Sequence, residues 1–477
     1  MIRISFDIGG TFTDCVLQDT SSNRVLTRKL PSTPSDPAEA VLHGLDTLLD
    51  DAEAEAGSVE RILHATTVAT NAVIERKGAP TALITTRGFR DVLIIGRQKR
   101  YETYDLHLEK PRPLLPRRAI FEVDERLDAG GAVVIPLDEA SLDAAIDQVA
   151  TMDAQSVAVA LLHAYADGRH EQAIARRIAE RLPGLPVSLS SEIAPRFREY
   201  ERTSTVVVNA YVRPAVEAYV GRLQAALKDR DFARELFIMQ SNGGLVSPGL
   251  ARQFPARILE SGPAAGVLMA ARIGAGIGAE HVITFDMGGT TAKLGAVDGG
   301  TPAISPSFEA DLVGFKAGSG LPVSVPSVEL LEIGAGGGSI ARVEMGMIAV
   351  GPQSAGAEPG PICYGRGGSE PTVTDANVVL GYIEPESFND GRMRLDAEAA
   401  AAGIAAHVGK PLGLDTGDAA WGIHLIATAN MEHAMRLVSV ERGRDPRRYA
   451  LVAFGGAGPI HACRLARSLG IPRVVVP

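Results

Sequence analysis

Cysteine is scarce in this chain. Only Cys15, Cys363 and Cys463 occur in 477 residues, too far apart for a CxxC pair or a metal-ligand spacing. That excludes a disulfide framework or a zinc module read from sequence, and it suits a reducing compartment. Aromatic residues make up 5% of the chain, tryptophan occurs once, and the net charge is −10. A nucleic-acid surface wants the opposite, basic and stacking side chains together, so no nucleic-acid partner is expected. No run reaches 18 uninterrupted apolar residues, so no membrane span is expected. The opening "MIRISFDIGG" lacks the apolar core and cleavage site of a signal peptide, which makes the cytoplasm the expected compartment. Familiar catalytic signatures are also missing. There is no GxSxG elbow and no HExxH, and "GAGGGS" (Gly334–Ser339) lacks the Lys-Ser/Thr ending of a P-loop. That stretch reads as a tight turn, or as a hairpin near substrate or phosphate.

What the chain does have is a repeat. "SFDIGGTFTDCVL" (Ser5–Leu17) is echoed by "TFDMGGTTAKLGAV" (Thr284–Val297). Between Ile4–Thr11 and Ile283–Thr290, six of eight positions are identical at an offset of 279. The length is enough for two or three domains, and 45% hydrophobic residues can supply their cores.

The pattern around the repeat is mixed α/β. Ile2–Phe6, Cys15–Gln18 and Arg24–Lys29 read as three short strands. Asp36 and Pro37 read as the cap and first position of a helix with a Val41, Leu42, Leu45, Leu48, Leu49 stripe, closed at Gly57. "SVAVALLHAY" is the continuous apolar run of a strand buried on both faces. It lies between helical patterns, with Leu142, Ile146 and Val149 on one face of the first. "VSLSSEI" reads as a further strand, and the alternation gives βαβ units and a largely parallel sheet. Residues 199–229 read as helical, kinked or divided at Pro214. Residues 299–372 read as short strands and loops. "YALVAFGGAGPIHACRLARSLG" reads as strand, glycine turn and helix. Two regions are expected, 1–185 and 186–477.

A strand ending in Asp, then Gly-Gly-Thr, then a returning strand makes a hairpin with a tight tip. Adjacent glycines free the backbone and remove β-carbons, so their N–H groups can face one oxyanion. A single copy is equally a plain type I′ turn. A matched pair points instead to two hairpins gripping one polyphosphate across a cleft. Phosphate donors are then Gly9, Gly10, Thr11 and Thr13, and Gly288, Gly289, Thr290 and Thr291. The carboxylates of Asp7 and Asp286 suit a hydrated Mg²⁺, which keeps its waters. Asp14 closes the first motif where Lys293 stands in the second, so the two hairpins are not chemically equivalent.

The order of phosphate hairpin, small-residue helix, second hairpin and strand–GG–helix turn is that of the actin, sugar-kinase and heat-shock-chaperone ATPases. Within it, "DIGGTFTD", "HATTVATNAVIERKGA", "EYERTSTVVVNAY", "ESGPAAGV", "FDMGGTT", "EIGAGGGSIA", "PTVTDANVVLG" and "VAFGGAGPIHA" resemble the hydantoinase A/5-oxoprolinase family across essentially the whole chain. The chain has Ala65 where that family often has Gly. The resemblance implies two actin-like (ribonuclease H-like) α/β lobes with an interlobe cleft. Residues 1–185 would be the N-terminal domain and 186–477 the hydantoinase A domain with an inserted substrate region. Family members usually continue past "IPRVVVP", which implies a second lobe short of a closing helix.

The implied function is ATP-dependent hydrolysis of a cyclic amide such as a hydantoin or 5-oxoproline, by phosphoryl activation of the amide oxygen. The implied cofactors are ATP and Mg²⁺. The implied partner is a B-type subunit, with a homo-oligomer also allowed. Gly455, Gly456 and Gly458 fall beside the adenosine. Glu260 precedes "SGPAAGV" and stands as general base, or equally as a carboxylate favoured by a helix dipole. His64, Thr66, Thr67 and Asn71 stand as substrate contacts, or equally as structural groups at a capped helix start. Asp375 and Asn377 read as a polar pair or a helix cap. Two alternatives remain, a subunit of an ATP-using ketone carboxylase and a non-catalytic nucleotide switch.

Overall fold

The computed structural model of the chain describes every residue except Gly10, Thr11, Pro34, Ser35, Ala233 and Asp390, and Gly314 only in its backbone. Two compact units are present. One is residues 1–265 with 304–327, the other residues 266–303 with 328–477. The boundary placed at 185/186 from the sequence falls inside the first unit, because a long helix after it is buried in that unit's core.

The first unit opens with an antiparallel meander of β1 (Ile2–Ile8), β2 (Phe12–Asp19) and β3 (Arg24–Pro31). Along β1 the side chains alternate. Ile4, Phe6 and Ile8 are buried, and Ser5 and Asp7 take the other face. Helix α1 (Pro37–Ala52) starts where expected, with the Asp36 carboxylate accepting from Ala38 N at 3.2 Å. It stops before Gly57. Glu53 takes a left-handed φ of 50° and its N–H returns to Asp50 O and Leu49 O. Next come β4 (Val59–Thr66), parallel to β1, and helix α2 (Val68–Ile74).

A second sheet of this unit follows. It holds β5 (Thr81–Thr86), β6 (Ile120–Val123), helix α3 (Glu139–Thr151), β7 (Ser156–Ala160), helix α4 (Arg169–Arg181) and β8 (Val187–Leu189). Its four strands are all parallel in the order β8-β7-β5-β6. All five residues of β7 are buried, as its apolar run requires. "VSLSSEI" is a strand only to Leu189, and Ser190–Ile193 turns into a short helix.

Helix α5 (Glu199–Asp229) is continuous through Pro214, neither divided nor ended there. An interior proline costs a helix about 3 kcal/mol. Burial of Val206, Val208, Val212, Val216, Tyr219, Val220 and Leu223 outweighs that, at about 1.5–3 kcal/mol for each large side chain. Strands β9 (Leu236–Met239) and β10 (Leu245–Val246) complete the first sheet, in the order β10-β9-β4-β1-β2-β3.

Helix α6 (Ser261–Gly276) carries the chain into the second unit. There β11 (Val282–Met287), β12 (Ala292–Asp298) and β13 (Thr301–Pro302) form another antiparallel meander, with β14 (Leu330–Ile333) also along β12. The hairpin β15 (Ser339–Glu344) and β16 (Met347–Ser354) and helices α7 (Val373–Val379) and α8 (Thr416–Val438) follow. Strand β17 (Ala450–Phe454), helix α9 (Gly458–Leu469) and β18 (Arg473–Val475) come last. Both β17 and β18 run parallel to β11 on its far side.

The two sheets match. The orders β3-β2-β1-β4-β9 and β13-β12-β11-β17-β18 agree strand for strand, each a meander followed by two parallel strands. The echo between Ile4–Thr11 and Ile283–Thr290 is therefore one hairpin used twice, in the ribonuclease H-like class the motifs implied.

Candidate functional site

In the first unit the hairpin between β1 and β2 closes through Gly9 N donating to Phe12 O at 3.0 Å. Its two tip residues, Gly10 and Thr11, lie outside the described residues. Asp7 stands opposite Asp14 in register, so both carboxylates share one face. Asp14 is exposed and paired with Lys29 Nζ at 2.8 Å. Helix α6 starts against Asp7, and a β-carbon on Gly262 would lie 3.1 Å from both Asp7 carboxylate oxygens. Glycine there lets the positive end of the helix approach the carboxylate. Thr13, expected among the phosphate donors, is wholly buried, and its hydroxyl meets Ser32 Oγ at 3.1 Å. It braces the hairpin from inside. Ser32 in turn donates to Gly9 O at 2.8 Å.

The segment after β4 joins the same corner. Thr67 donates to Ile8 O from its N–H at 3.1 Å and from its hydroxyl at 2.9 Å, and Asn71 donates to Thr67 Oγ1 at 3.2 Å. Thr66 exchanges hydrogen bonds with Ser261 Oγ at 3.1 and 3.2 Å. Glu260 donates its N–H to Thr70 Oγ1 at 3.2 Å and has a φ of 57°, strained for a residue with a side chain. Asp7, Thr66, Thr67, Asn71 and Glu260 thus gather at the carboxyl ends of β1 and β4.

His64 lies a layer deeper. Its Nδ1 meets Phe6 O at 3.3 Å and its Nε2 meets Tyr219 Oη at 2.8 Å. A carbonyl only accepts, so Nδ1 carries the proton and Tyr219 donates to Nε2. Burial pushes the imidazole pKa down to about 4 and keeps it neutral. With both ring nitrogens engaged, the ring ties β1 and β4 to α5, the structural one of the two readings the sequence left open for it rather than the substrate contact.

In the second unit the equivalent corner is fully described. Gly288 N donates to Thr291 O at 3.1 Å, leaving Gly289 and Thr290 as an exposed two-residue tip. Asp286 faces Lys293 across the hairpin, and Lys293 Nζ is 3.6 Å from Glu332. The turn after β17 folds over this strand end. Ala457 N donates to Met287 O at 2.9 Å, and Gly455 has a φ of 78°. A β-carbon on Gly455 would lie against Asp286 Oδ1, so glycine is required by both conformation and space. Nothing lies within 4 Å of a β-carbon built on Gly456. Gly458 begins α9. Asp286, Gly288, Gly289, Thr290, Thr291, Gly455, Gly456 and Gly458 thus gather at the carboxyl ends of β11 and β17.

Sequence reasoning missed the partner of this second hairpin. The "GAGGGS" loop lies directly on it. Gly337 N donates to Gly288 O at 3.0 Å and Gly338 N to Gly289 O at 2.6 Å. Gly336 N donates to Ser339 Oγ at 2.9 Å. These N–H groups are engaged within the protein, so the loop is not a phosphate cradle. A run of three glycines beside a strand signals close backbone approach, but not to which segment. Asp375 is a helix cap, accepting from Thr372 N at 2.8 Å and Cys363 N at 2.7 Å. Asn377 accepts from His424 Nδ1 at 3.0 Å in the core.

Two family descriptions match the chain, hydantoinase/oxoprolinase over residues 202–477 and hydantoinase/oxoprolinase N-terminal region over residues 3–182. The chain belongs to the hydantoinase/oxoprolinase family. Among members of this family, the caprolactamase subunit alpha of Pseudomonas jessenii is 37% identical over 482 residues, covering 100% of the chain and 68% of the relative. The crystal structure of the ATP-dependent caprolactamase from that organism matches with a TM-score of 0.86 at 36% identity, over 100% of this chain and 68% of that one. A nucleotide-free acetone carboxylase structure matches with a TM-score of 0.84 at 28% identity, again over 100% and 68%. The family fold, with its duplicated hairpin sheets, is the fold of this chain.

Proposed function

We propose that this chain is the ATP-using subunit of an enzyme that hydrolyses a cyclic amide, with both hairpins engaging the same nucleotide. The observation that carries the reading is the duplication. Two matching sheets each end in an Asp-x-Gly-Gly-Thr hairpin, and each strand end is packed by a close-approaching glycine. Similarity to a protein named as the alpha subunit of a caprolactamase supports the substrate class and a partner subunit, which we take to be of the B type.

The residues present fit the groups this reading needs. The exposed Gly289-Thr290 tip offers backbone donors to phosphate, and the open space at Gly456 leaves room beside the strand end. Among the described residues no group of three or more His, Cys, Asp or Glu side chains gathers to hold a metal. A hydrated Mg²⁺ does not need one, because it binds through one or two carboxylates and phosphate oxygens. Asp7, with Asp14 on the same face, and Asp286 would hold it through water.

An unstrained lactam or cyclic ureide is a poor electrophile. When bound, ATP would supply a phosphoryl group to the amide oxygen, making the ring carbon electrophilic enough for water to add and the ring C–N bond to break, with a second water releasing phosphate. The chain's own residues then align and neutralise charge. Gly288, Gly289, Thr290 and Thr291 hold phosphate oxygens, as do Gly9, Gly10 and Thr11. Gly455, Gly456 and Gly458 lie beside the adenosine. Glu260, held in a strained conformation two residues from Gly262, accepts a proton or orders water. Thr66, Thr67 and Asn71 shape the same corner.

A ketone carboxylase subunit is the second reading, favoured by the likeness to acetone carboxylase. ATP turnover measured against lactams, hydantoins, 5-oxoproline and ketones with bicarbonate, with and without a B-type subunit, separates them. The expected result is ATP hydrolysis matched by ring-opened product. A bicarbonate requirement would favour carboxylation. Turnover stimulated by a protein partner but by no small molecule would favour a nucleotide switch.

A further inference from the structure

The second hairpin and the glycine loop Gly336–Gly338 make contact backbone to backbone. Gly288 O and Gly289 O each accept a hydrogen bond from the loop, from Gly337 N and Gly338 N. A trans peptide is planar, with its C=O and the following N–H pointing in opposite directions. Fixing Gly288 O toward the loop therefore aims Gly289 N–H away from it. Fixing Gly289 O toward the loop aims Thr290 N–H away in the same manner. Both residues are exposed, and the two carbonyl bonds to the loop turn both donors to the side away from it. Successive N–H groups converging this way form an anion-binding nest.

We infer that Gly336–Gly338 is a positioning clamp that orients the Gly289 and Thr290 amides toward the terminal phosphates of a nucleotide. This rests on the nucleotide reading above and adds how the second hairpin is prepared for it. Space requires glycine in the clamp. A β-carbon on Gly336 would lie 2.5 Å from Gly289 O and 2.6 Å from the carbonyl carbons of Gly289 and Thr290. One on Gly338 would lie 2.9 Å from Gly289 O and from Ser354 Oγ. The clamp is itself anchored. Gly337 O accepts from Thr374 N at 2.7 Å and from Thr374 Oγ1 at 2.8 Å, at the start of α7. Ala355 N donates to Gly338 O at 2.9 Å. The chain thus runs a relay from helix α7 through the glycine loop to the hairpin tip.

The test is calorimetric binding of Mg·AMPPNP and of AMP to the full chain and its variants, with thermal melting alongside. Gly336→Ala should weaken Mg·AMPPNP by about 10-fold or more, since a donor pair is misaimed, while AMP changes by less than about 2-fold. Thr374→Val keeps the fold's shape and loses one anchor, so it should move Mg·AMPPNP in the same direction by a few-fold and leave AMP alone. If Mg·AMPPNP binding is unchanged in both variants, or if AMP weakens as much as Mg·AMPPNP, the clamp does not orient phosphate donors. A wild-type chain that binds neither nucleotide overturns the nucleotide reading and the clamp with it. Wild-type binding with unaffected variants overturns the clamp alone.

Discussion

In the first hairpin Gly9 O is held by the Ser32 hydroxyl, and in the second Gly288 O is held by the Gly337 N–H. Both hairpins close through the equivalent glycine N–H, Gly9 to Phe12 O and Gly288 to Thr291 O, but one brace is a side chain and the other is main chain. Their charges differ as well. Asp7 shares its face with Asp14, whereas Asp286 shares its face with Lys293. Two carboxylates on one face suit a hydrated cation, and a carboxylate beside an ammonium suits a phosphate. On the nucleotide reading proposed above, the difference would weight one duplicated element toward two tasks, the first hairpin more toward Mg²⁺ and the second more toward phosphate oxygens.

That contrast breaks or sharpens most strongly in the two aspartates. Asp7→Asn and Asp286→Asn should each lower ATP turnover by about 10²–10³-fold, the scale of losing one charge-stabilising group. Asp7→Asn, which takes the carboxylate that shares its face with Asp14, should raise the Mg²⁺ concentration needed for half-maximal turnover more than Asp286→Asn does. An equal Mg²⁺ shift in both variants would erase the division of labour.

Acid sharpens it next. His64 in the first unit is pushed down to about 4 by burial. In the second unit burial lowers His424 to about 4, and burial with the His424 charge lowers His461 to about 3. Each folded pKa lies below the unfolded value, so the unfolded chain binds the proton better. The stability involved is whole above about pH 6.5 and is lost as pH falls toward about 4, by about 3 kcal/mol for His64 alone. With two such histidines against one, the core of the second unit should lose hydrogen-exchange protection at the higher pH. His424→Gln should narrow the gap.

Charge swaps come third. Lys293 is mostly buried and serves Glu332, so Lys293→Met should destabilise by about 1–3 kcal/mol in urea unfolding. The Asp14–Lys29 pair is exposed, and Asp14→Asn should change stability by less than about 1 kcal/mol. Equal effects would mean the two faces are electrostatically alike. The smallest effect belongs to the side-chain brace. Ser32→Ala removes the bond to Gly9 O and should lower stability by about 1 kcal/mol, with the AMP affinity unmoved.

Much of this was legible in the residues themselves. Asp36-Pro37 announces α1, the apolar run of "SVAVALLHAY" announces β7, and the repeated Asp-x-Gly-Gly-Thr announces both hairpins. What escaped depended on distant partners. Pro214 signals a break, yet burial along α5 overrides a local cost of a few kcal/mol. His64 carries the chemistry of a ligand contact, but Tyr219, 155 positions away, occupies its Nε2. Thr13 reads as a phosphate donor until Ser32 turns its hydroxyl inward. The three glycines of Gly336–Gly338 show no periodicity, and their purpose lies some 50 residues earlier in the chain, at Gly288 and Gly289. The boundary at 185/186 followed the βαβ pattern and lies between the two family matches, residues 3–182 and 202–477, while α5, which follows it, packs onto both sheets of the first compact unit.

The central claim is that both hairpins act on one nucleotide, and a crystal structure with Mg·AMPPNP bound tests it most directly. The expected result is phosphate oxygens at about 2.7–3.2 Å from Gly289 N and Thr290 N, with a Mg²⁺ on the same nucleotide whose waters reach Asp7. A nucleotide that touches one hairpin only, or neither, would contradict it.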